Sequence, residues 1–242
     1  MPLVTFDQDD QLGEIVIDNP PLNLFSGDML SDLGSAVEQA AHSKIRAVLV
    51  RAAGSDFSAG ADASVFAGLD RAGAIELEET VLSLIAAIES LPVPALALIQ
   101  GQCYAGALEV CLACDLIWAA EGSQIGQIEA VAGGIPYGGG TQRIASRIGA
   151  ARAAEMVFTG AVLPPETLLS WGLVNKVVTA DRLASEGRAF ARTLANGPTR
   201  AHAVTKRVLH AWRSGGYGQF PNGPSRNGFA VGIRACDCRR TS

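Results

Sequence analysis

Two glutamates stand in apolar surroundings, twenty residues apart along the chain. Glu109 lies within the run Ala107–Trp118, and Glu129 follows Gly126 and two further residues. Carboxylates are rarely buried without a partner or a purpose. Two of them in dry surroundings can divide acid and base duties, because burial pushes their pKa values upward or apart. The pair therefore predicts a site for proton transfer, and two glutamates on the surface are the alternative.

Two glycine-containing turns follow predicted strands and could bind an oxygen that carries developing negative charge. The first is Phe57–Asp62, and the second is Gly101–Glu109, which opens an apolar helix. Small residues let backbone N–H groups approach a ligand, and a helix N-terminus adds donors without partners. Two such donors aimed at one point stabilise an oxyanion. Plain strand–helix connections are the alternative. Because Glu109 comes three residues after Gly106, one helical turn returns its carboxylate to this place.

Short apolar segments alternate with segments of helical periodicity, and these elements would position the site. Strands are predicted at Glu14–Ile17, Arg46–Val50, Ala95–Ile99, Asp115–Ala119 and Leu173–Val178. Helices are predicted at Ser26–Ala41, Ala72–Ser90 and Thr199–Arg213, the last as an amphipathic helix. Strand–helix–strand order predicts βαβ units with largely parallel strands, and therefore an α/β fold.

Composition excludes several classes of protein. The chain has 242 residues, of which 48% are apolar and 18% are charged, against about 25% charged in a typical domain. It is therefore predicted to form a core rather than to be disordered. The formal charge of −5 excludes a general nucleic-acid binder, which normally has a basic face. No basic segment followed by an apolar run opens the chain, which predicts a cytoplasmic protein.

One uncharged segment, Leu91–Leu108, is long enough to cross a membrane. Its prolines and glycines favour a buried strand and a buried helix joined by a glycine turn, so no membrane partner is predicted.

Five cysteines without a secretion signal indicate reduced thiols. Cys111 and Cys114 form a CxxC, but no second pair completes a zinc site, so core thiols and no metal are predicted. His202 and His210 likewise lack a third ligand.

The end of the chain differs from the rest. Its last 29 residues contain six glycines, four arginines and one aspartate, a balance of +3. From Gly215 onward there is no helical apolar period, which predicts disorder or irregular packing. The predicted organisation is a core at 1–195, a C-terminal helix at 196–213 and an atypical Gly/Arg-rich tail at 214–242.

Four segments in order resemble the enoyl-CoA hydratase/isomerase (crotonase) family. They are SAGAD, GALEVCLACDLIWAAEGSQIGQIEA, GGGTQR and FTGAVLPPETLLSWGLVNKVV. The resemblance runs from about Gly13 to Trp212. It implies a crotonase-like spiral of ββα units with a C-terminal helical segment. It also implies assembly as a homotrimer or a dimer of trimers.

The resemblance further implies a reaction. The backbone N–H groups of Ala61 and Gly106 would form the oxyanion hole for the carbonyl of an acyl-CoA thioester. Glu109 would position and activate water, and Glu129 would exchange a proton with the substrate α-carbon. Water would then add to a 2-enoyl-CoA to give a 3-hydroxyacyl-CoA. Coenzyme A would be part of the substrate, with no separate cofactor, and would lie along the residues Ala59, Gly60, Ala61 and Asp62.

Three features depart from the family pattern. Only the central Gly106 survives from the usual LGGG, which reads YAGA here. Tyr137 replaces a glycine whose backbone helps to hold water, and Ser64 replaces a frequent lysine. These changes leave open an enoyl-CoA isomerase, another crotonase chemistry, or a catalytically weak CoA-binding paralogue. The presence of both glutamates favours the hydratase, because an isomerase can use a single carboxylate.

Overall fold

The computed structural model describes residues 2–215 and contains two β-sheets. The large sheet has the strand order β1-β2-β3-β4-β6-β9, and the small sheet has the order β5-β7-β8. The strands are β1 Val4–Asp9, β2 Leu12–Ile17, β3 Ala47–Ala52, β4 Ala95–Ile99, β5 Gln102–Tyr104, β6 Leu116–Ala120, β7 Gln124–Gly126, β8 Val162–Leu163 and β9 Lys176–Val178.

Eight α-helices connect and cover these strands within the described residues. They are α1 Gly27–His42, α2 Arg71–Ser90, α3 Gly106–Ala113, α4 Gly140–Ile148, α5 Ala150–Thr159, α6 Pro165–Trp171, α7 Ala180–Ala195 and α8 Thr199–Gly215. Two short 3-10 helices span Ala63–Phe66 and Glu129–Ala132. Ser26 caps α1, and its hydroxyl accepts a hydrogen bond from the Met29 N–H at 3.3 Å.

The predicted α/β fold is confirmed. β1 pairs antiparallel with β2, and every other neighbouring pair in the large sheet is parallel. The chain alternates between the sheets: β4 lies in the large sheet and β5 in the small one before α3 follows, and β6 and β7 repeat this step. These two turns each contribute one strand to each sheet, as the expected spiral requires.

Helices cover both faces of the large sheet. Residues of α1, α2 and α3 share the main core with one face, whereas α7 packs Leu183, Ala191 and Ala195 against the other. Strands buried on both faces have nearly continuous apolar sequences, and β4 (ALALI) is completely buried. This is why the central strands were predicted within one or two residues. Along the chain the first glycine turn follows β3, Gly106 follows β5 and Glu129 follows β7.

Two expectations are settled by the element boundaries. The uncharged segment 91–108 divides into β4, β5 and the start of α3, and within residues 2–215 no helix is long and apolar enough to cross a membrane. The helix predicted at Thr199–Arg213 is present as α8, and its basic residues are not all solvated: Lys206 is buried, pairs with Asp115 at 2.9 Å and donates to the Val93 carbonyl at 3.1 Å. The predicted disorder beyond Gly215 concerns residues outside the described range.

Candidate active site

The first glycine turn, Phe57–Asp62, pairs with another segment of the chain. Ala61 forms an isolated parallel bridge with Phe25. In this bridge the Phe25 N–H donates to the Gly60 carbonyl at 2.9 Å, and the Asp62 N–H donates to the Phe25 carbonyl at 3.0 Å. Because both of these bonds use the neighbours of Ala61, the backbone N–H of Ala61 itself faces the opposite side. Ala61 is exposed there.

The second glycine turn places Gly106 at the N-terminus of α3. Ala105, just before it, has φ +53° and ψ −126°, a conformation that costs a non-glycine residue roughly 1–3 kcal/mol and is often found at functional sites. The first N–H groups of a helix have no acceptor within the helix, so the Gly106 N–H points outward. A Cβ on Gly106 would meet no atom within 4 Å, so the space before it is open.

The two turns are in contact. A Cβ on Gly60 would lie 3.1 Å from the Tyr104 carbonyl oxygen and 3.4 Å from the Ala105 Cβ. Gly60 allows this approach and also adopts φ +101°. The contact brings together Ala61 and Gly106, the next residue of each turn. Within residues 2–215 neither of these two N–H groups has a hydrogen-bond acceptor, so two backbone donors border the open space.

Glu109 is buried in α3 with 1% of its surface exposed. Its Oε2 accepts a hydrogen bond from the Gly138 N–H at 2.9 Å, and its Oε1 accepts one from the Gly140 N–H at 2.7 Å. A Cβ on Gly138 would lie 2.9 Å from Oε2 and one on Gly140 would lie 2.9 Å from Oε1, so a side chain at either position would displace the carboxylate. Burial raises the pKa of Glu109, and the two N–H donors offset this only in part.

Glu129 begins the 3-10 helix after β7 and is half-buried. Its Oε1 accepts a hydrogen bond from Gln127 Nε2 at 2.7 Å. Its Oε2 is buried and has no partner in the described part of the chain. Burial raises the pKa of Glu129, against the smaller opposing effects of its own N–H and of Gln127. A buried oxygen without a donor favours the protonated carboxyl or a ligand that supplies a partner.

Gly140 links the two carboxyl groups. A Cβ there would meet Glu109 Oε1 at 2.9 Å and Gln127 Oε1 at 3.1 Å, and Gln127 in turn binds Glu129. The charge of Glu129 adds to the upward shift in the pKa of Glu109. Two carboxyl groups that interact in this way disfavour simultaneous ionisation. The alternative of two surface glutamates is therefore wrong, and the arrangement can hold one carboxylate and one carboxylic acid together.

The remaining predicted residues lie on the first turn. The Ala59 N–H donates to the Leu22 carbonyl at 3.0 Å. Asp62 Oδ1 accepts a hydrogen bond from the Ser64 N–H at 2.8 Å and caps the following 3-10 helix. These bonds to Ser64 hold the pKa of Asp62 below its usual value. The structure thus places Ala59, Gly60, Ala61 and Asp62 on a single ordered turn.

Comparison with known proteins identifies the family of this chain. The family model described as "Enoyl-CoA hydratase/isomerase" matches residues 7–218. The chain belongs to the enoyl-CoA hydratase/isomerase family. Its relatives include a Bacillus subtilis protein named "Probable enoyl-CoA hydratase", 33% identical over 177 residues that cover 72% of this chain and 69% of that protein. An "Enoyl-CoA isomerase/hydratase" of Mycosarcoma maydis is 40% identical over 133 residues, covering 54% of this chain and 48% of that protein.

A solved structure shows the same fold. The crystal structure of an enoyl-CoA hydratase from Bacillus anthracis has a TM-score of 0.85 to this chain at 26% sequence identity. The match covers 97% of this chain and 89% of that chain. The crotonase-like fold expected from the sequence is therefore confirmed.

Tyr137 distinguishes this member of the enoyl-CoA hydratase/isomerase family from the usual pattern. It is half-buried, and its ring centroid lies 6.2 Å from that of Phe66 at an interplanar angle of 41°. Phe66 ends the 3-10 helix after the first turn, and Tyr137 immediately precedes Gly138. Aromatic rings at this separation attract one another. The pair therefore joins the two segments that flank the site.

Several residues around the site were not predicted individually. Gln127 and Arg143 were noted only as letters of longer segments, as were Gly138 and Gly140. The nearest sequence signal is the run of three glycines in IPYGGGTQR. It indicates that the backbone approaches another group closely, but it does not identify that group.

The three cysteines within residues 2–215 lie in the core of this family member. Cys103, Cys111 and Cys114 are buried, and burial raises the thiol pKa of both Cys111 and Cys114. Thiols held in their neutral form are poor nucleophiles and poor ligands. Among residues 2–215 no group of three or more His, Cys, Asp or Glu side chains could hold a metal ion.

Proposed function

We propose that the chain is an enoyl-CoA hydratase that adds water to a 2-enoyl-CoA and forms a 3-hydroxyacyl-CoA. The observation that carries the proposal is the linked pair Glu109 and Glu129, which lie in one site with different partners. Hydration needs one group that removes a proton from water and another that supplies a proton to the neighbouring carbon. Coenzyme A enters as part of the substrate.

The two free backbone donors would bind the thioester oxygen. When water attacks C3 of the enoyl group, the π electrons move toward the carbonyl and negative charge develops on that oxygen. The N–H groups of Ala61 and Gly106 would stabilise this charge without any movement of the protein. A donor of this kind typically contributes about 10²–10³ in rate. The turn Ala59–Asp62 would lie along the coenzyme A moiety, so that backbone donors rather than overall charge bind it.

The two glutamates would then divide the proton transfers. The carboxylate of Glu109 accepts a proton from water as the water oxygen bonds to C3. The carboxylic acid of Glu129 donates its proton to C2, and the enolate electrons form the new C–H bond. Glu109 ends protonated and Glu129 ends ionised, so return of one proton from Glu109 to Glu129 through solvent restores the site. The buried, unpartnered Oε2 of Glu129 supports its assignment as the acid.

An enoyl-CoA isomerase is the second candidate, and the contacts of Glu109 favour it. Both oxygens of that carboxylate already accept backbone hydrogen bonds, which leaves fewer positions for a water molecule. Glu129 alone could take a proton from C2 of a 3-enoyl-CoA and return it to C4.

The absorbance of the conjugated enoyl thioester separates these candidates. A hydratase consumes 2-enoyl-CoA with loss of this absorbance, and the product carries one oxygen atom from water. An isomerase instead generates the absorbance from 3-enoyl-CoA without uptake of water. If neither substrate reacts while CoA esters still bind, both proposals fail and the protein is a CoA-binding paralogue. Substrates of several acyl lengths should be compared, because the phenol ring of Tyr137 would narrow an acyl pocket at this place.

We also infer assembly as a homotrimer or a dimer of trimers. Val131 and Phe158 support this inference, because 77% and 80% of their surfaces are exposed. Large exposed apolar side chains that lie together mark interaction surfaces. The two residues belong to neighbouring segments, since a Cβ on Gly160, two residues after Phe158, would lie 2.7 Å from Val131 Cγ2.

A further inference from the structure

Glu89 on α2 is paired with cationic side chains from two other helices. Its Oε2 accepts a hydrogen bond from Arg143 Nη2 of α4 at 2.7 Å, and its Oε1 lies 3.1 Å from Arg213 Nη2 of α8. His210 Nε2 of α8 lies 3.9 Å from the same oxygen. Arg143 and Glu89 expose only 17% and 18% of their side chains. The ion pairs are therefore poorly screened by solvent, and one carboxylate connects three helices.

The other end of Arg143 contacts the glycine turn at the site. Its Nη1 donates to the Gly138 carbonyl at 2.6 Å and lies 3.4 Å from the Gly139 carbonyl. A Cβ on Gly139 would come within 2.6 Å of that nitrogen, so the guanidinium lies directly against the turn. A guanidinium has five donors in a rigid plane. Arg143 can therefore bind Glu89 and the turn at once, which a lysine could not do in the same geometry.

The same turn binds the carboxylate of Glu109 from its other side. The Gly138 N–H donates to Glu109 while the Gly138 carbonyl accepts from Arg143. A continuous series of contacts thus runs from α8 through Glu89 and Arg143 to Glu109. The three glycines of this turn have no side chains that could pack and fix its orientation, so the orientation depends on these contacts. The turn is held between an arginine and a catalytic carboxylate.

We propose that Arg143 is a positioning residue that holds the Gly138–Gly140 turn against Glu109, and that Glu89 and Arg213 orient it from α2 and α8. The C-terminal helix therefore supports the catalytic carboxylate although it does not touch it. This inference rests on the proposed function for its kinetic readout. Its structural content, the ordering of the turn by Arg143, does not depend on which reaction the site performs.

The first test compares Arg143→Met, Arg143→Lys and Glu89→Gln in the full chain. Misplacement of a reacting group by about 1 Å can cost ~10²-fold in rate, so Arg143→Met should lower kcat for 2-enoyl-CoA by about this factor. KM and the binding of acetyl-CoA, which has no double bond, should stay within about twofold, because the Arg143 contacts lie on the Glu109 side. Arg143→Lys should restore part of kcat.

Arg188→Met is the matched control. Arg188 on α7 pairs with the buried Glu14 at 2.8 Å, so its loss also removes an arginine–glutamate pair but one far from the glycine turn. It should lower Tm without a selective fall in kcat. The proposal is overturned if kcat of Arg143→Met is unchanged. It is also overturned if Arg143→Met and Arg188→Met change kcat, KM and Tm in the same way.

Amide hydrogen exchange gives a readout independent of activity. The Gly138 and Gly140 N–H groups should exchange faster in Arg143→Met and in Glu89→Gln, whereas those of β4 should not change. If wild type turns over no enoyl-CoA, the proposed function fails while this measurement still decides the role of Arg143. Unchanged protection of both glycines would overturn the inference. Should Arg143→Met fail to fold, Glu89→Gln, which keeps the guanidinium, provides the same comparison.

Discussion

The surroundings of Glu109 and Glu129 differ although both side chains belong to one site. Glu109 lies in a helix, is almost completely buried, and has both oxygens bound by backbone N–H groups of one glycine turn. Glu129 lies at the start of a 3-10 helix, is half-buried, and has one oxygen bound by Gln127 and the other without a partner among residues 2–215. Burial raises the pKa of each, but only Glu109 has donors for both oxygens.

This difference indicates how one residue type can serve two roles. Two N–H donors stabilise the ionised form of Glu109 and fix its direction, which suits a general base. The free oxygen of Glu129 suits an acid whose proton points toward the substrate. The rigid side of the site is therefore the Glu109 side, and the fold stabilises it through Gly138, Gly140 and Arg143. The Glu129 side depends on a single amide.

Replacing each glutamate with glutamine should have the largest effects. General acid–base groups contribute about 10²–10⁴ in rate, so Glu109→Gln and Glu129→Gln should each lower kcat for 2-enoyl-CoA hydration within this range. The exposed Glu155→Gln is the control and should retain full activity. Glu109→Gln could instead keep isomerisation of 3-enoyl-CoA while Glu129→Gln loses it. Glu129 would then act alone, and the isomerase would be supported over the hydratase.

The sequence predicted the two glutamates and the two glycine turns more fully than the contacts that orient them. Glu109 and Glu129 stand out because charge in an apolar run is costly, and that signal is local. Arg143 reaches Glu89 across 54 positions of the chain, and no local pattern predicts such a pair. Strands such as β7 and β8 have three and two residues, too few for a period. The buried strands of the large sheet were predicted because their apolar runs are continuous.

Replacing one glycine beside each glutamate with alanine should show that the Glu109 side of the site is the more rigid one. A Cβ on Gly138 would lie 2.9 Å from Glu109 Oε2, whereas one on Gly134 would lie 3.6 Å from the Glu129 carbonyl oxygen and 3.7 Å from its Cβ. Neither glycine lies in the left-handed region. Gly138→Ala should therefore displace the carboxylate and lower kcat about 10²-fold, while Gly134→Ala should stay close to wild type. Equal losses in both variants would contradict the unequal rigidity of the two sides.

The smallest expected effect is a shift in the pH profile of kcat/KM. Gln127→Met should move only one limb of that profile. The hydratase needs Glu109 ionised and Glu129 protonated, so kcat/KM falls below the pKa of Glu109 and above the pKa of Glu129. Since burial raises both pKa values above 4.5, both limbs should lie higher than those of exposed glutamates.

The Gln127 amide stabilises ionised Glu129 by donating to Oε1 at 2.7 Å. Without that donor the ionised form is less favourable and the pKa of Glu129 rises further. The basic limb of the Gln127→Met profile should therefore move to higher pH, and the acidic limb should stay in place, because the two N–H donors of Glu109 are unchanged. The exposed Gln39→Met should leave both limbs unchanged. A shift of the acidic limb alone would reverse the two assignments, because it would make Glu129 the base and Glu109 the acid.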